Sequence, residues 1–341
     1  MNGDMGIFKR RDTSPAGAAI SEFWEQWPQL RERIEASDDA LDTELHEAIS
    51  RLIHKIHPDL LWEIDAQKPS FTVTGGGIAE LRGIAERWRK AAPRRQEWAF
   101  YGARQGDPEM LDQKLSLADH EFDLTYVKLG MRVDRQRSRI HISAYHPDFL
   151  FVDEQTQLQV AFHVLDWSLG EDDVARWIGE VTIAIEPPID ALPPNLLASV
   201  VEQVAEPFKE GAWLTGEGRT PRGHPARIAV KYPLHRQDFP LCDTHISLTL
   251  PYASSNPDRL PVEPSSSALK AVQGQLEELG AQAVLALTET GDGIRVFHLY
   301  ADAESPAVAL LDQLAASWPE GRAKVEAVPD PGWRAIAPYQ P

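Results

Sequence analysis

Apolar residues recur along this chain in a pattern that repeats three times: a helical stripe, two alternating stretches, a second helical stripe and a third alternating stretch. The three copies cover residues 41–104, 107–186 and 266–328. Stripes with a period of 3.6 residues predict amphipathic helices, whereas alternation predicts half-buried strands. We therefore expect repeated α-β-β-α-β units of a ferredoxin-like α+β fold, with mostly antiparallel sheets and helices packed on one face.

The first copy follows a helical stripe of Phe23, Trp27, Leu30 and Ile34. Apolar spacing predicts helices over 21–34, 41–56 and 78–91, and Ala92-Pro93 ends the last of them. It also predicts strands over 60–65, 70–74 and 97–104. The second copy predicts helices over 110–117 and 158–169 and strands over 122–133, 139–145 and 177–185, with Gly170 as a helix C-cap.

The third copy carries the clearest turn signal, because Gly291-Asp292-Gly293 separates two alternating stretches and predicts a tight hairpin. Before it, the Gly, Pro and Arg content of residues 211–225 predicts a mobile loop. The remaining patterns predict helices over 196–208, 269–279 and 308–315 and strands over 228–232, 244–250, 283–290, 294–300 and 323–328.

These patterns divide the chain into five segments. We predict a disordered tail (1–17), a first α+β unit (18–105) and a second α+β unit (106–190). A helix with a flexible linker (191–225) and a C-terminal α+β domain (226–341) follow.

Composition indicates a globular protein, since 43% of the 341 residues are apolar and ten are tryptophan. The net charge is −18, from 52 acidic and 34 basic residues. Such a balance repels phosphate backbones and argues against nucleic acid as the main ligand. It suits high solubility or a basic protein partner.

The single cysteine, Cys242, excludes internal disulfides and cysteine-cluster metal sites, and it is typical of a cytoplasmic protein. No apolar stretch approaches the roughly 18 residues of a membrane span. The first residues, with Ile7-Phe8 before Lys9-Arg10-Arg11, lack the apolar run of a secretory signal, and Met5 is an alternative start.

Histidines and the cysteine are the first candidates for chemistry. His46, His54 and His57 lie on neighbouring turns of one predicted helix, as zinc ligands can, and Glu63 and Asp65 follow. Their position at the edge of the apolar stripe favours solvent-flanking side chains. Cys242 and His245 have an odd separation that places them on opposite faces of a strand, and Asp243 would raise the pKa of the thiol, so a buried structural thiol is favoured over a nucleophile.

The glycine-rich segments and the charged clusters are further candidates for binding sites, and each also has a structural explanation. Gly75-Gly76-Gly77 and Gly216-Glu217-Gly218 resemble phosphate-binding turns, but neither completes a nucleotide motif, and Pro221 occupies the last glycine position of the second. Glu171-Asp172-Asp173 is either half of a carboxylate pair or a solvated turn. Basic residues near the end of the third helix complement its dipole and are weak evidence for RNA binding; they are Arg87, Arg89, Lys90, Arg94 and Arg95.

Tryptophans are expected mainly in the core, with Trp98 and Trp177 on closing strands and Trp318 and Trp333 on either side of the last strand; an exposed one could anchor a partner. We assign no catalytic, cofactor-binding or metal-binding residue and expect no cofactor.

The C-terminal region resembles a bacterial family. The residues are Glu289 through Gly293, Phe297-His298-Leu299-Tyr300-Ala301-Asp302 and Asp330-Pro331-Gly332-Trp333, and they are similar to domain-of-unknown-function family 695. That family is similar in fold to the regulator of ribonuclease E activity B. The resemblance implies a fold and a bacterial cytoplasmic setting, and it transfers no site residue.

Three segments nearer the N-terminus resemble the region found ahead of such domains in other uncharacterised bacterial proteins: His57-Pro58-Asp59-Leu60, Ala91-Ala92-Pro93 with Trp98, and Leu165-Asp166 through Leu169-Gly170-Glu171 to Ile178-Gly179.

Three function classes stay open. The favoured one is a non-enzymatic binding or regulatory module with a protein partner. The second is an inhibitor or immunity-type protein whose acidic surface acts on a nuclease or toxin, and the third is a hydrolase whose site forms between the modules.

Overall fold

The computed structural model describes residues 15–36, 42–65, 68–93, 97–208 and 211–339. It confirms an α+β fold with mostly antiparallel sheets: among the described strands, only the β2–β3 and β7–β8 pairs are parallel. The helices are α1 (Pro15–Glu35), α2 (Thr43–Ile56), α3 (Arg82–Ala91), α4 (Glu154–Leu169), α5 (Glu171–Trp177), α6 (Leu197–Ala205), α7 (Ser265–Glu278) and α8 (Ala307–Ser317).

The strands form four sheets. They are β1 (Leu61–Asp65), β2 (Ser70–Thr74), β3 (Ala99–Tyr101), β4 (Lys114–Leu117), β5 (His120–Asp123), β6 (Lys128–Asp134), β7 (Arg139–Tyr145), β8 (Ile178–Ala184), β9 (Ala212–Arg219), β10 (Pro225–Tyr232), β11 (Thr244–Pro251), β12 (Ala283–Gly291), β13 (Ile294–Ala301) and β14 (Lys324–Pro329). The sheet orders are β1-β2-β3, β4-β5, β6-β7-β8 and β14-β11-β13-β12-β10-β9.

Residues 1–103 and 104–341 are two compact units. The first unit has the predicted order of helix, two strands, helix and strand, from α2 to β3, with α1 packed on α2 and α3. Its core is aromatic: Phe23, Trp27, Phe71 and Trp88 are fully buried, and their rings meet edge to face or stacked. Such a core fixes the three helices on the small sheet.

The second unit contains the predicted second and third copies. Tyr232 at the end of β10 donates a hydrogen bond to Ser138 Oγ of the β6–β7 turn (2.9 Å), and Arg176 Nη2 lies 2.6 Å from Asp238 Oδ1. These contacts connect the small sheet β6-β7-β8 to the segments that lead into the large C-terminal sheet.

The large sheet has a β-α-β-β-α-β segment from β11 to β14, with spatial order β14-β11-β13-β12. Helices α7 and α8 cover one face, where Leu269, Leu311, Leu248 and Phe297 are buried together. Residues 330–339 cross the opposite face, which we call the outer face. The ferredoxin-like description stays a prediction.

Two predicted elements of the second copy are wrong. The predicted helix over 110–117 is a 3-10 turn, Pro108–Asp112, followed by β4, because Leu115 and Leu117 alternate and pair across to β5. The predicted strand over 122–133 is divided between β5 and β6 by a turn at Leu124–Tyr126. In the third copy, β11 lies between the hairpin strand β13 and the last strand β14, an arrangement that the repeat pattern does not indicate.

The predicted loop over 211–225 is also wrong. It contains β9, which pairs with β10 over its whole length, from Ala212↔Tyr232 to Arg219↔Pro225. The predicted tail falls largely outside the described residues, but Pro15–Gly17 begin α1. None of the helices in the described part of the chain has the length and apolar content needed to cross a bilayer.

Candidate functional site

The three candidate histidines of α2 do not converge. His46 and His54 are exposed, His46 packs its ring 4.9 Å from that of Trp62, and His57 follows the end of the helix. Among the residues that the structure describes, no group of three potential metal-ligating side chains lies together. A zinc site at α2 therefore receives no support.

The two glycine segments form a turn and part of a strand. Gly75-Gly76-Gly77 forms the turn after β2, where Gly76 and Gly77 have φ of +57° and +86°, a region that favours glycine. Gly216-Glu217-Gly218 lies inside β9 and is no loop.

The charged clusters form helix ends. Glu171, Asp172 and Asp173 make the first turn of α5 instead of a solvated turn, and Glu171 is buried where its carboxylate accepts a hydrogen bond from the Arg104 backbone N–H. Acidic groups are favourable at a helix N-terminus. In the basic cluster Arg89 pairs with Glu86, and Arg94 and Arg95 lie outside the described residues.

The tryptophans are mainly core residues. Trp98 and Trp333 are buried, and Trp318 donates a hydrogen bond to the Pro251 carbonyl oxygen. Trp177 is also buried. The predicted place of both tryptophans on closing strands is wrong, because Trp177 is the last residue of α5 and Trp98 comes directly before β3.

Cys242 is a buried thiol, as predicted, in an apolar cluster with Tyr300 and Trp333. His245 instead contacts His298, with His245 Nε2 and His298 Nδ1 3.0 Å apart. On the other side of the His298 ring, Nε2 lies 3.3 Å from Glu289 Oε1. At 3.0 Å, one of the two ring nitrogens, His245 Nε2 or His298 Nδ1, donates a hydrogen bond and the other accepts it.

This histidine pair lies beneath residues 330–339. Tyr339 donates a hydrogen bond to Glu289 Oε1 (2.8 Å), and Tyr300 donates one to Asp330 Oδ2 (2.6 Å). Burial, and then the neighbouring His298, lower the pKa of His245, so its neutral form is favoured. The two tyrosine hydrogen bonds, to Glu289 and to Asp330, fasten the C-terminal segment to the sheet.

A pocket of about 340 Å³ lies on the opposite face of the sheet, the face that carries α7. We call it the arginine pocket. Its floor comes from β9, β10, β12 and β13, and Gln273 of α7 lines it from the side; the lining residues are Thr215, Gly216, Glu217, Arg227, Ile228, Ala229, Gln273, Thr288, Thr290 and Arg295.

Strand register places four of these side chains in one row. Glu217 lies opposite Arg227, Arg227 opposite Thr290, and Thr290 opposite Arg295. Directly opposite residues on paired strands project from the same face. The row therefore runs from a carboxylate through a guanidinium and a hydroxyl to a second guanidinium.

Arg295 is half-buried and donates a hydrogen bond from Nε to Thr290 Oγ1 (2.8 Å). Neither Arg295 nor Arg227 forms an ion pair with a carboxylate within the described ranges. Burial lowers the pKa of Arg295, and the positive charge of Arg227 adds to this effect. Arginine stays protonated in proteins, so the pocket holds positive charge that an anion would stabilise.

Sequence reasoning missed this pocket. A signal was present in β12, where Thr288 and Thr290 take positions on the helix-covered face that an ordinary core would fill with apolar residues; both are nearly fully buried. Glu217 was noticed only as part of a glycine pair.

Comparisons with known proteins add no assignment: no family model, no curated protein and no solved structure matches this chain. The resemblance to domain-of-unknown-function family 695 stays a prediction.

Proposed function

We propose that this protein is a non-enzymatic regulatory or binding module whose C-terminal sheet binds a small anion in the arginine pocket. The observation that carries the proposal is Arg295, a half-buried guanidinium without a carboxylate partner among the described residues. The partners of this guanidinium are the Thr290 hydroxyl and the Phe297 ring, whose centroid lies 5.9 Å from Arg295 Cζ. Neither carries a negative charge, so a bound anion would offset part of the cost of burying the guanidinium.

The composition of the pocket supports a compact polar ligand. Guanidinium groups bind carboxylate and phosphate oxygens through paired hydrogen bonds, and the threonine hydroxyls can donate to the same oxygens. The described lining residues include no aromatic ring on which a nucleobase could stack, and no histidine or cysteine. These features support binding in preference to catalysis.

Titration calorimetry on the full chain tests the proposal with inorganic phosphate, sulfate and acetate. We expect saturable binding of at least one anion, weakened about tenfold or more in Arg295→Met, which keeps the length of the side chain and removes its charge. Arg222→Gln is the matched control, because Arg222 is exposed on the β9–β10 turn outside the pocket. Binding that is unchanged in Arg295→Met, or absent for every anion, contradicts the proposal.

A protein partner is the second candidate. Strand β9 is one edge of the large sheet, and its Leu214 is 43% exposed. The backbone groups of an edge strand can pair with an extended segment of another protein. Leu214→Lys should then reduce partner capture, whereas Val328→Lys on the opposite edge, β14, should not.

The remaining expectations, which are an inhibitor of a nuclease or toxin, a cytoplasmic setting and a hydrolase, stay proposals that rank below these two. The net charge of −18 supports a basic partner, as an inhibitor of a nuclease or toxin would have, over nucleic acid. The single cysteine supports a cytoplasmic setting. No specific contact favours a hydrolase.

A further inference from the structure

Glu217 stands at the end of the charged row in the arginine pocket. It is exposed, and the structure gives it no ion pair with any described cation, although Arg227 is its direct cross-strand neighbour. In a pocket that binds a simple anion this carboxylate would be unfavourable, because its negative charge would repel the ligand.

The spacing along the row separates the two kinds of charge. Neighbouring strands lie about 4.8 Å apart, so Glu217 is two strand spacings, roughly 10 Å at the backbone, from Thr290. Arg227 and Arg295 are the cross-strand neighbours of Thr290, one on each side. Positive charge is thus centred over Thr290, and negative charge lies at the β9 end.

We propose that the ligand of the arginine pocket is a zwitterion of the amino-carboxylate class. Its carboxylate lies between Arg227 and Arg295 above Thr290, and its ammonium group reaches Glu217. This inference rests on the proposed function and narrows it to one ligand class. The ammonium group turns the repulsion by Glu217 into an attraction, which accounts for all three charged residues of the row.

The uncharged lining fits the same ligand. Thr215 and Thr288 add hydroxyl groups in the adjacent row, since Thr215 lies opposite Ala229 and Ala229 opposite Thr288. Gln273 lines the pocket from α7, and its amide donates a hydrogen bond to Glu277 Oε1 (3.0 Å). These groups can accept or donate hydrogen bonds along a short polar chain without demanding a ring or a large apolar group.

Calorimetry with 6-aminohexanoate and hexanoate, which differ only in the ammonium group, tests the inference on the full chain. We expect the wild type to bind 6-aminohexanoate about tenfold more tightly than hexanoate. Glu217→Gln should lose about tenfold in affinity for 6-aminohexanoate, while hexanoate binds equally well or more tightly. Glu278→Gln, at the exposed end of α7, is the matched control and should change neither affinity.

The ligand length is a second readout. Because of the roughly 10 Å separation, preference over the matching deaminated acid should rise from glycine through 4-aminobutyrate to 6-aminohexanoate. Equal effects of Glu217→Gln on both hexanoate compounds, or no preference for the ammonium group, would overturn the inference. If Arg295-dependent binding of simple anions persists in that case, the proposed function stands alone; if no anion binds, both fail.

Discussion

At the residue scale, the first unit contains a buried carboxylate held between two arginines. The Glu86 side chain is 7% exposed, with Arg82 Nη1 3.2 Å from its Oε2 and Arg89 Nη2 2.5 Å from its Oε1. Gly102 makes the space for this group, since a Cβ there would lie 3.0 Å from both Arg82 Nη1 and Glu86 Oε2. Burial raises the pKa of Glu86, but the two arginines together lower it by more, so the net pKa is below the ordinary value.

Removing that charge should destabilise the first unit. Glu86→Gln deprives the buried Arg82 guanidinium of a carboxylate and should lower the free energy of unfolding by about 3 kcal/mol at pH 7. Urea unfolding followed by tryptophan fluorescence measures the change. Glu44→Gln is the control, because its side chain is 89% exposed and its contact with Arg33 should contribute less than about 1 kcal/mol.

The same carboxylate gives a pH dependence. Since the folded pKa of Glu86 is lowered, its stabilisation is present above the unfolded glutamate pKa of about 4.3 and is lost as the pH falls through the folded pKa. Glu86→Gln should therefore be less sensitive to pH than the wild type below about pH 4.3. Parallel stability curves for the two proteins in that range would contradict this account.

At the element scale, the β9–β10 hairpin shows that pairing with a neighbouring strand can stabilise a segment whose own sequence predicts a loop. Every residue of β9 except Trp213 is exposed, and two of them are glycine, a pattern that alone predicts a loop. Pairing with β10 along its whole length stabilises β9 as a strand. The turn is fastened to the β12–β13 turn by His224, whose Nδ1 contacts Asp292 Oδ1, and Thr220 packs where Gly291 leaves space.

Neutralising Asp292 should loosen this hairpin. Asp292 has φ of +54°, a conformation that asparagine also tolerates, so Asp292→Asn removes the charge and keeps the backbone. We expect faster amide hydrogen exchange in β9 and β10 and unchanged exchange in β11, measured by mass spectrometry.

Asp119→Asn provides the control, because Asp119 also has positive φ (+58°) but lies in the β4–β5 turn. Its effect should be confined to that turn. Unchanged exchange in β9 of Asp292→Asn would show that the Asp292 carboxylate does not hold the hairpin.

Helices, strands and turns could be predicted from the sequence where a local pattern, such as one buried apolar face, determines the element. The stripe of α2 and the Gly291-Asp292-Gly293 turn, with φ of +54° and +85° at its last two residues, are local signals. The row of Arg227, Thr290 and Arg295 is not local. It depends on which strands pair and in which register, and the insertion of β11 between β13 and β14 shows that this pairing does not follow chain order.

At the scale of the whole molecule, each of the two units has its own core. The first unit buries one cluster around Phe23 and Trp88. The second has a cluster around Phe149 and Val164, a cluster under α7 and α8, and one on the outer face around Tyr300. A unit with its own apolar core can in principle fold alone.

Residues 1–103 and 104–341, produced separately, should therefore each unfold in a cooperative thermal transition. Five tryptophans belong to each fragment, so near-ultraviolet circular dichroism reports on both; they are Trp24, Trp27, Trp62, Trp88 and Trp98 in the first and Trp167, Trp177, Trp213, Trp318 and Trp333 in the second. The arginine pocket draws all its residues from the second unit, so that fragment should bind anions with the affinity of the full chain. A folded second fragment with more than about tenfold weaker binding would mean that the pocket needs residues 1–103.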